Sequence, residues 1–230
     1  MQGIITAAAS SPRLLPLTKR TPVSLLDVRG KVILDRQMEA LREAGVDNVL
    51  VITGFCAGQV EELCRGKATC VYNPFYEVCN VAMNLWLVRQ KLEPDFILVY
   101  DDILFGTELI GEVSEAADGV TLVVDRKGVD KEAEKVVVRQ GLVNAIGKDV
   151  TGPYGEFIGV ARFSGDAVGV LVETLEQIAR TDLGTTFPQL VQLLIQRGRD
   201  IAVLATDRPW FDIDFPSDLE EAQRRFPGGG

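Results

Sequence analysis

The stretch AAASSPRLLPLTKRTPVSLLDVRGK, residues 7–31, decides how the rest of the chain is read. It follows the short apolar run Gly3-Ile4-Ile5-Thr6 and precedes a segment with helical spacing. A loop in that place, between a first strand and a first helix, is where an α/β protein holds a phosphate. Such loops owe their shape to glycine, yet this one has none before Gly30.

Outward from the loop, apolar runs of strand length alternate with helical patterns. Strands are expected at 3–8, 48–53, 69–72 and 95–100, and helices at 31–44, 57–64 and 80–92. In the first helix Ile33, Leu34, Met38 and Leu41 recur near helical spacing, and Gly45 ends it. Residues 48–53 and 95–100 are continuous apolar runs, as in strands buried on both faces. This β-α-β-α order implies a parallel sheet with right-handed crossovers. The second half changes character. Strands at 119–125, 135–139, 142–146 and 157–163 are separated mostly by turns, which predicts antiparallel additions. Helices at 165–180 and 188–197, a strand at 200–205 and a helix at 217–225 follow, then a flexible tail at 227–230. No repeat or composition break divides the chain, so residues 1–226 are expected to form one domain.

The net charge is −9, which argues against nucleic acid or an anionic membrane surface as partner. No apolar run is long enough to span a bilayer, and the N-terminus has no signal-peptide pattern. The expected location is the cytoplasm, as a monomer or homodimer. Cys56, Cys64, Cys70 and Cys79 include no C-x-x-C pair and are expected to be free thiols. Histidine is absent. That excludes Ser-His-Asp and Cys-His chemistry and nearly all His-ligated metals. Any metal must be a hard ion held by carboxylates, Mg²⁺ or Mn²⁺.

Ligands of an open α/β sheet bind beyond the carboxyl ends of its strands. Asp101 and Asp102 stand there, after Phe96-Ile97-Leu98-Val99-Tyr100, as a candidate metal position. A second acidic segment is WFDIDFPSDL, residues 210–219. Ser217 with Glu220 reads as a capping box for the last helix, and Asp218 suits a helix N-terminus. Asp212 and Asp214 have no such role. Alternation puts them on one face of an extended segment, as a second metal position.

These pieces resemble the nucleotidyltransferases that couple a nucleoside triphosphate to a phosphorylated small molecule. That family opens A-A-G-x-G-[ST]-R-L-x-P-L-T, then P-K-x-L-L-x-V-x-G-K-P. Here Ala7-Ala8, Arg13-Leu14, Pro16-Leu17-Thr18, Leu25-Leu26, Val28 and Gly30-Lys31 match. The resemblance continues through REAGVDNVLVITGF, LVYDDILF, GEFIGVARFS and WFDIDFPSDLEEA. NPFYEVCNVAMNLW is similar to the N-P-[FY]-Y-x-x-T-N-N-x-x-S-L-W of the small phosphocholine and inositol-phosphate cytidylyltransferase branch.

The resemblance implies a Rossmann-like mixed, mainly parallel sheet flanked by helices, with antiparallel additions in the second half. It implies attack of an acceptor phosphate or phosphonate oxygen on the α-phosphorus of an NTP, CTP first, with pyrophosphate leaving. The nucleophile is already anionic, so no histidine base is needed. By the family pattern Asp102 and Asp214 bind the metal, and Asp101 takes the usual glycine place before the first of them. Ala7, Ala8, Ala9 and the region from Gly54 face the nucleotide, with Asn80 matching the first Asn of T-N-N. Glu156 sits where relatives contact the acceptor. Lys148 and Trp210 are further acceptor candidates, Trp210 as a cation–π face. Trp86 is expected to pack in the core.

The match also departs from the pattern. The family glycines fall at Ala9 and Ser11, Pro12 replaces Ser or Thr, and the signature lysine falls at Val23. Losing one cationic contact to the transition state typically costs on the order of 10²–10³ in rate. Three readings stay open. One is an active enzyme in which Arg13, Lys19 or Arg20 replaces the lysine, favoured by the retained Asp102 and Asp214. The second is a nucleotide-binding homologue with weakened catalysis. The third is a glycosyltransferase-like protein that holds a sugar nucleotide on paired aspartates.

Overall fold

Continuous Val, Ile and Leu runs make the strands, and one-sided apolar stripes make the helices, throughout the computed structural model, which describes residues 1–129 and 131–226. In chain order the first elements are β1 (Gln2–Thr6), β2 (Asp27–Val28), β3 (Lys31–Val32), α1 (Ile33–Glu43), β4 (Asn48–Thr53), α2 (Ala57–Cys64) and β5 (Thr69–Tyr72). Then come α3 (Val81–Val88), β6 (Asp95–Tyr100), β7 (Ile103–Phe105), α4 (Thr107–Ser114), β8 (Val120–Asp125), β9 (Lys135–Arg139) and β10 (Leu142–Gly147). The last are β11 (Gly155–Ser164), α5 (Asp166–Thr181), α6 (Phe187–Gln196), β12 (Ile201–Thr206), β13 (Trp210–Asp212) and α7 (Pro216–Arg225). The expected tail at 227–230 lies outside the described residues.

The chain divides into two units. The first comprises Gln2–Glu77, Val99–Gly111 and the chain from Arg208 onward. Its strands β5, β4 and β1 lie side by side and parallel, with Ile4 opposite Leu50 and Leu50 opposite Thr69. The apolar stripe of α1 is buried through Ile33, Leu34, Met38 and Leu41, and Gly45 closes the helix at φ +81°. The β2–β3 hairpin turns on Arg29 and Gly30, both at positive φ, and Gly30 N donates to Asp27 Oδ1 at 2.9 Å.

The second unit comprises Met1, Val78–Leu98 and Glu112–Asp207. Its strand order is β6-β11-β8-β12-β10-β9. Only β12 with β8 is parallel among its described registers; β11–β8, β10–β12, β10–β9 and β11–β9 are antiparallel. These are the additions expected of the second half. The core of the unit stacks Phe96 on Phe163 at 5.1 Å, with Phe187 edge-on to Phe163 at 6.3 Å.

Three local expectations change. The helix expected at 80–92 is α3 followed by a 3₁₀ turn over Arg89–Lys91. Helix α4 was not anticipated: its buried stripe, Leu109, Ile110 and Val113, is short and broken by Gly111. The last helix begins at Pro216, so Ser217 is not its cap and does not pair with Glu220. Proline suits a first helical position, and Asp218 does the capping. Its Oδ2 accepts from Phe215 N at 2.7 Å and from Asp214 N at 3.1 Å.

Candidate active site

Asp101 and Asp102 form the turn that leaves β6. Gln37, fully buried on α1, donates from Nε2 to the carbonyls of Tyr100 and Ile103, each at 2.7 Å. The turn is therefore gripped on both sides by one amide. Strand β7 then pairs antiparallel with β13, Ile103 opposite Asp212 and Phe105 opposite Trp210. One residue beyond the ladder, Ile213 N donates to the Asp102 carbonyl at 3.1 Å. This short ladder joins residues far apart in sequence. One carboxylate oxygen each from Asp102, Asp212 and Asp214 lies within 4.8 Å of the others.

Burial raises the Asp102 carboxyl to about 6, with the Asp214 charge adding to the rise and a backbone hydrogen bond opposing it. Burial also pushes Asp101 well above the usual carboxylate range, and Asp102 beside it pushes the same way. Asp101 Oδ2 and Asp102 Oδ1 are buried without a hydrogen-bond partner among the described residues. Ionised carboxylates only accept, so an arrangement of acceptors with orphaned oxygens fits a hard divalent cation, which takes oxygen ligands. Asp102, Asp212 and Asp214 are the residues that would hold it.

Arg13 Nη1 reaches Asp214 Oδ2 at 2.9 Å, and its guanidinium lies 5.6 Å from the centre of the exposed Phe215 ring. The backbone of Asp214 is held independently by Asp218. Lys19 and Arg20 are exposed, and their side chains make no hydrogen bond or ion pair among the described residues. The Arg20 carbonyl accepts from Gln59 Nε2 at 2.8 Å.

The glycine-poor loop uses no left-handed backbone. No residue between Ala7 and Val28 has a positive φ, so no position there requires glycine. Pro12 opens a 3₁₀ turn over Pro12–Leu14, Leu14 is buried, and the Thr18 hydroxyl donates to Ser11 O at 2.6 Å. Ala7 and Ala8 are buried while Ala9 is exposed. Ala8 O accepts from Phe55 N at 2.8 Å. A Cβ on Gly54 would stand 2.4 Å from Ala8 O and 2.6 Å from Tyr76 Cβ, so only glycine fits. Val23, at the family's lysine position, is 2% exposed in a core cluster with Leu14, Leu26, Ile33, Leu104 and Ile213. Half-buried Trp210 falls on the same face of β13 as Asp212 by strand alternation.

Asn80, Lys148 and Glu156 belong to the second unit. Asn80 precedes α3 and spends its side-chain amide on Gly184 O at 3.0 Å rather than on the helix. Lys148 pairs with Glu132 at 3.1 Å. Glu156 is half-buried, with Lys135 opposite it on β9 and Asp125 opposite it on β8. The Trp86 ring carries the Arg89 guanidinium 4.2 Å above it, and Arg89 pairs with Glu176, so that face already holds a cation.

Two positioning residues, Gln37 and Asp218, were not read from the sequence as part of the site. The signal for Asp218 was its place three residues after Phe215. Gln37 carried none, since an amide within a helix is ordinarily solvated.

Residues 3–156 match the MobA-like NTP transferase domain. The CTP:phosphoglutamine cytidylyltransferase of Campylobacter jejuni is 24% identical, over 96% of this chain and 98% of that protein. The bifunctional IPC transferase and DIPP synthase of Aquifex aeolicus is 27% identical over 96% of this chain, which spans 51% of that longer protein. The structure of CTP:phosphocholine cytidylyltransferase from Streptococcus pneumoniae superposes with a TM-score of 0.82 at 21% identity, covering 98% of this chain and 99% of that one. The inositol-1-phosphate CTP transferase of T. maritima gives 0.80 at 20% identity, covering 98% and 96%. At those identities the structures show a shared fold. With more than half its length matched by one family, the chain belongs to the MobA-like NTP transferases and is an enzyme of the nucleotidyltransferase class.

Proposed function

We propose that the chain transfers a nucleotidyl group, CMP from CTP in the first instance, to a phosphate or phosphonate oxygen of a small molecule and releases pyrophosphate. Asp102, Asp212 and Asp214 would hold the Mg²⁺ or Mn²⁺ that this transfer needs. The observation that carries this reading is the meeting of those three carboxylates, beside buried oxygens of Asp101 and Asp102 that have no hydrogen-bond partner among the described residues. The choice of CTP is supported by the cytidylyl chemistry in the names of the relatives. We read residues 1–226 as one nucleotidyltransferase domain.

The acceptor oxygen attacks the α-phosphorus, the new P–O bond forms, and the bond to the β-phosphate bridging oxygen breaks with its electrons leaving on pyrophosphate. The acceptor is anionic at neutral pH, so the absence of histidine removes nothing the reaction needs. The metal, when bound, supplies charge neutralisation at the phosphates. The rest falls to positioning. Gly54 lets the Ala8 backbone and Tyr76 pack against it and so fixes the Ala7–Ala9 segment that leads to exposed Ala9 on the nucleotide loop, and Asp101 backs the metal-binding turn. Lys19 and Arg20, exposed on the same loop, bring the positive charge that Val23 does not. Trp210 offers an acceptor an aromatic face beside Asp212.

The burial of Val23 favours a second reading, a homologue that binds CTP with weak turnover. A pyrophosphate-release assay separates the two. It pairs the four NTPs with phosphocholine, aminoethylphosphonate, inositol phosphate and sugar 1-phosphates. Turnover with one pair supports transfer; CTP binding without turnover across the panel supports the second reading.

A further inference from the structure

We propose that Arg13 is an exchangeable counter-ion of the acidic cluster. It holds Asp214 in the metal-free protein and leaves it for the nucleotide's phosphates when a divalent cation takes the carboxylates. The inference rests on the reading of Asp102, Asp212 and Asp214 as a cation site.

Three features make the exchange physically easy. The Arg13 and Asp214 side chains are 42% and 38% exposed, so water competes for both partners and the pair is weak. Arg13 sits on a 3₁₀ turn whose Leu14 is fully buried, so its side chain pivots on a fixed backbone. Asp214 keeps its place without Arg13, because its amide is tied to Asp218.

The charges give the exchange its direction. Three carboxylates whose oxygens gather within 4.8 Å repel one another, and Arg13 brings one positive charge to them through its pair with Asp214. A divalent ion offers twice that charge to all three. Arg13 and the cation therefore compete for Asp214. A released guanidinium is a planar fork of donors suited to phosphate oxygens, and it stays on the loop that carries Lys19 and Arg20. One residue thus stabilises the empty cluster and later neutralises the triphosphate.

The two roles have opposite signatures. Mn²⁺ binding is measured by the electron paramagnetic resonance of free Mn²⁺, without nucleotide, for the whole protein and for Arg13→Gln, Arg13→Lys and Asp102→Asn. Exchange predicts that Arg13→Gln binds Mn²⁺ about three- to fivefold more tightly, the most that an exposed ion pair is worth. In the same variant the KM for CTP rises. Arg13→Lys, which still pairs with Asp214, stays within about twofold of the unaltered protein for Mn²⁺. Unchanged or weaker Mn²⁺ binding by Arg13→Gln, with binding intact in the unaltered protein and lost in Asp102→Asn, overturns the exchange and leaves the cation site standing. No Mn²⁺ binding by any of these proteins overturns the cation site and the exchange with it.

Discussion

Replacing Asp102 with Asn keeps the shape of the side chain and removes one charge from a buried acidic cluster. In the folded protein the Asp102 carboxyl is raised from 3.8 to about 6, chiefly by burial. The fold therefore holds that proton more tightly than the unfolded chain does. Ionising Asp102 costs the metal-free fold nothing below pH 4, a growing amount as pH rises towards 6, and the whole penalty above it. Two units of pKa correspond to about 3 kcal/mol. The metal-free Asn variant should accordingly be the more stable protein at pH 7.5, by roughly 6–12 °C in Tm for a chain of this size. At pH 4 the two proteins should melt together. Mg²⁺ should reverse the order at pH 7.5, raising the Tm of the unaltered protein while leaving the variant in place, and the variant should lose turnover. Differential scanning calorimetry in EDTA and in Mg²⁺, at both pH values, measures all of this. An Asn variant no more stable than the parent in EDTA at pH 7.5, or one that gains as much Tm from Mg²⁺, would refute the burial argument for Asp102.

Three further substitutions probe the parts that hold the site. Val23→Lys restores the family's lysine but places an ammonium in an apolar cluster; it should lose about 2–4 kcal/mol in urea denaturation without gaining rate, and a stable, faster variant would mean that position 23 reaches the phosphates. Gly54→Ala drives a methyl against Ala8 O and Tyr76; a loss of about 1–3 kcal/mol and a higher KM for CTP are expected, and an unchanged denaturation midpoint would reject the close packing. Gln37→Leu strips the donor from two carbonyls flanking the Asp101–Asp102 turn; calorimetry should show a loss of about 2–4 kcal/mol, accompanied by weaker Mn²⁺ binding, whereas full metal affinity would show that the turn needs no clamp.

The sheet was legible where burial leaves a continuous apolar run, as at Asn48–Thr53 and Asp95–Tyr100, because a strand covered on both faces has no polar positions to blur its ends. Asp102 and Asp214 stand out in the sequence by their places beyond apolar runs and by the family pattern, and Asp212 by its alternation with Asp214; what the structure adds is that one oxygen of each comes within 4.8 Å of the others. What stayed hidden depends on contacts across long sequence separations. Gln37 meets carbonyls 63 and 66 residues away, and Arg13 meets a carboxylate 201 residues away. No local period encodes such pairings. The shape of the glycine-poor loop was hidden as well: a 3₁₀ turn, a buried leucine and a threonine hydroxyl shape it without any left-handed residue. Ser217 has a side chain that suits a cap, but Pro216 already starts the helix and Asp218 reaches back to cap it.

The most direct test of the account follows phosphorus through the reaction. ³¹P NMR of the protein with CTP, Mg²⁺ and the acceptor panel should show a new diphosphate linkage and free pyrophosphate growing in equal amounts. Both signals should vanish in EDTA and in Asp102→Asn. Release of inorganic phosphate in place of pyrophosphate, or product formed at an undiminished rate by Asp102→Asn, would contradict nucleotidyl transfer at this acidic cluster.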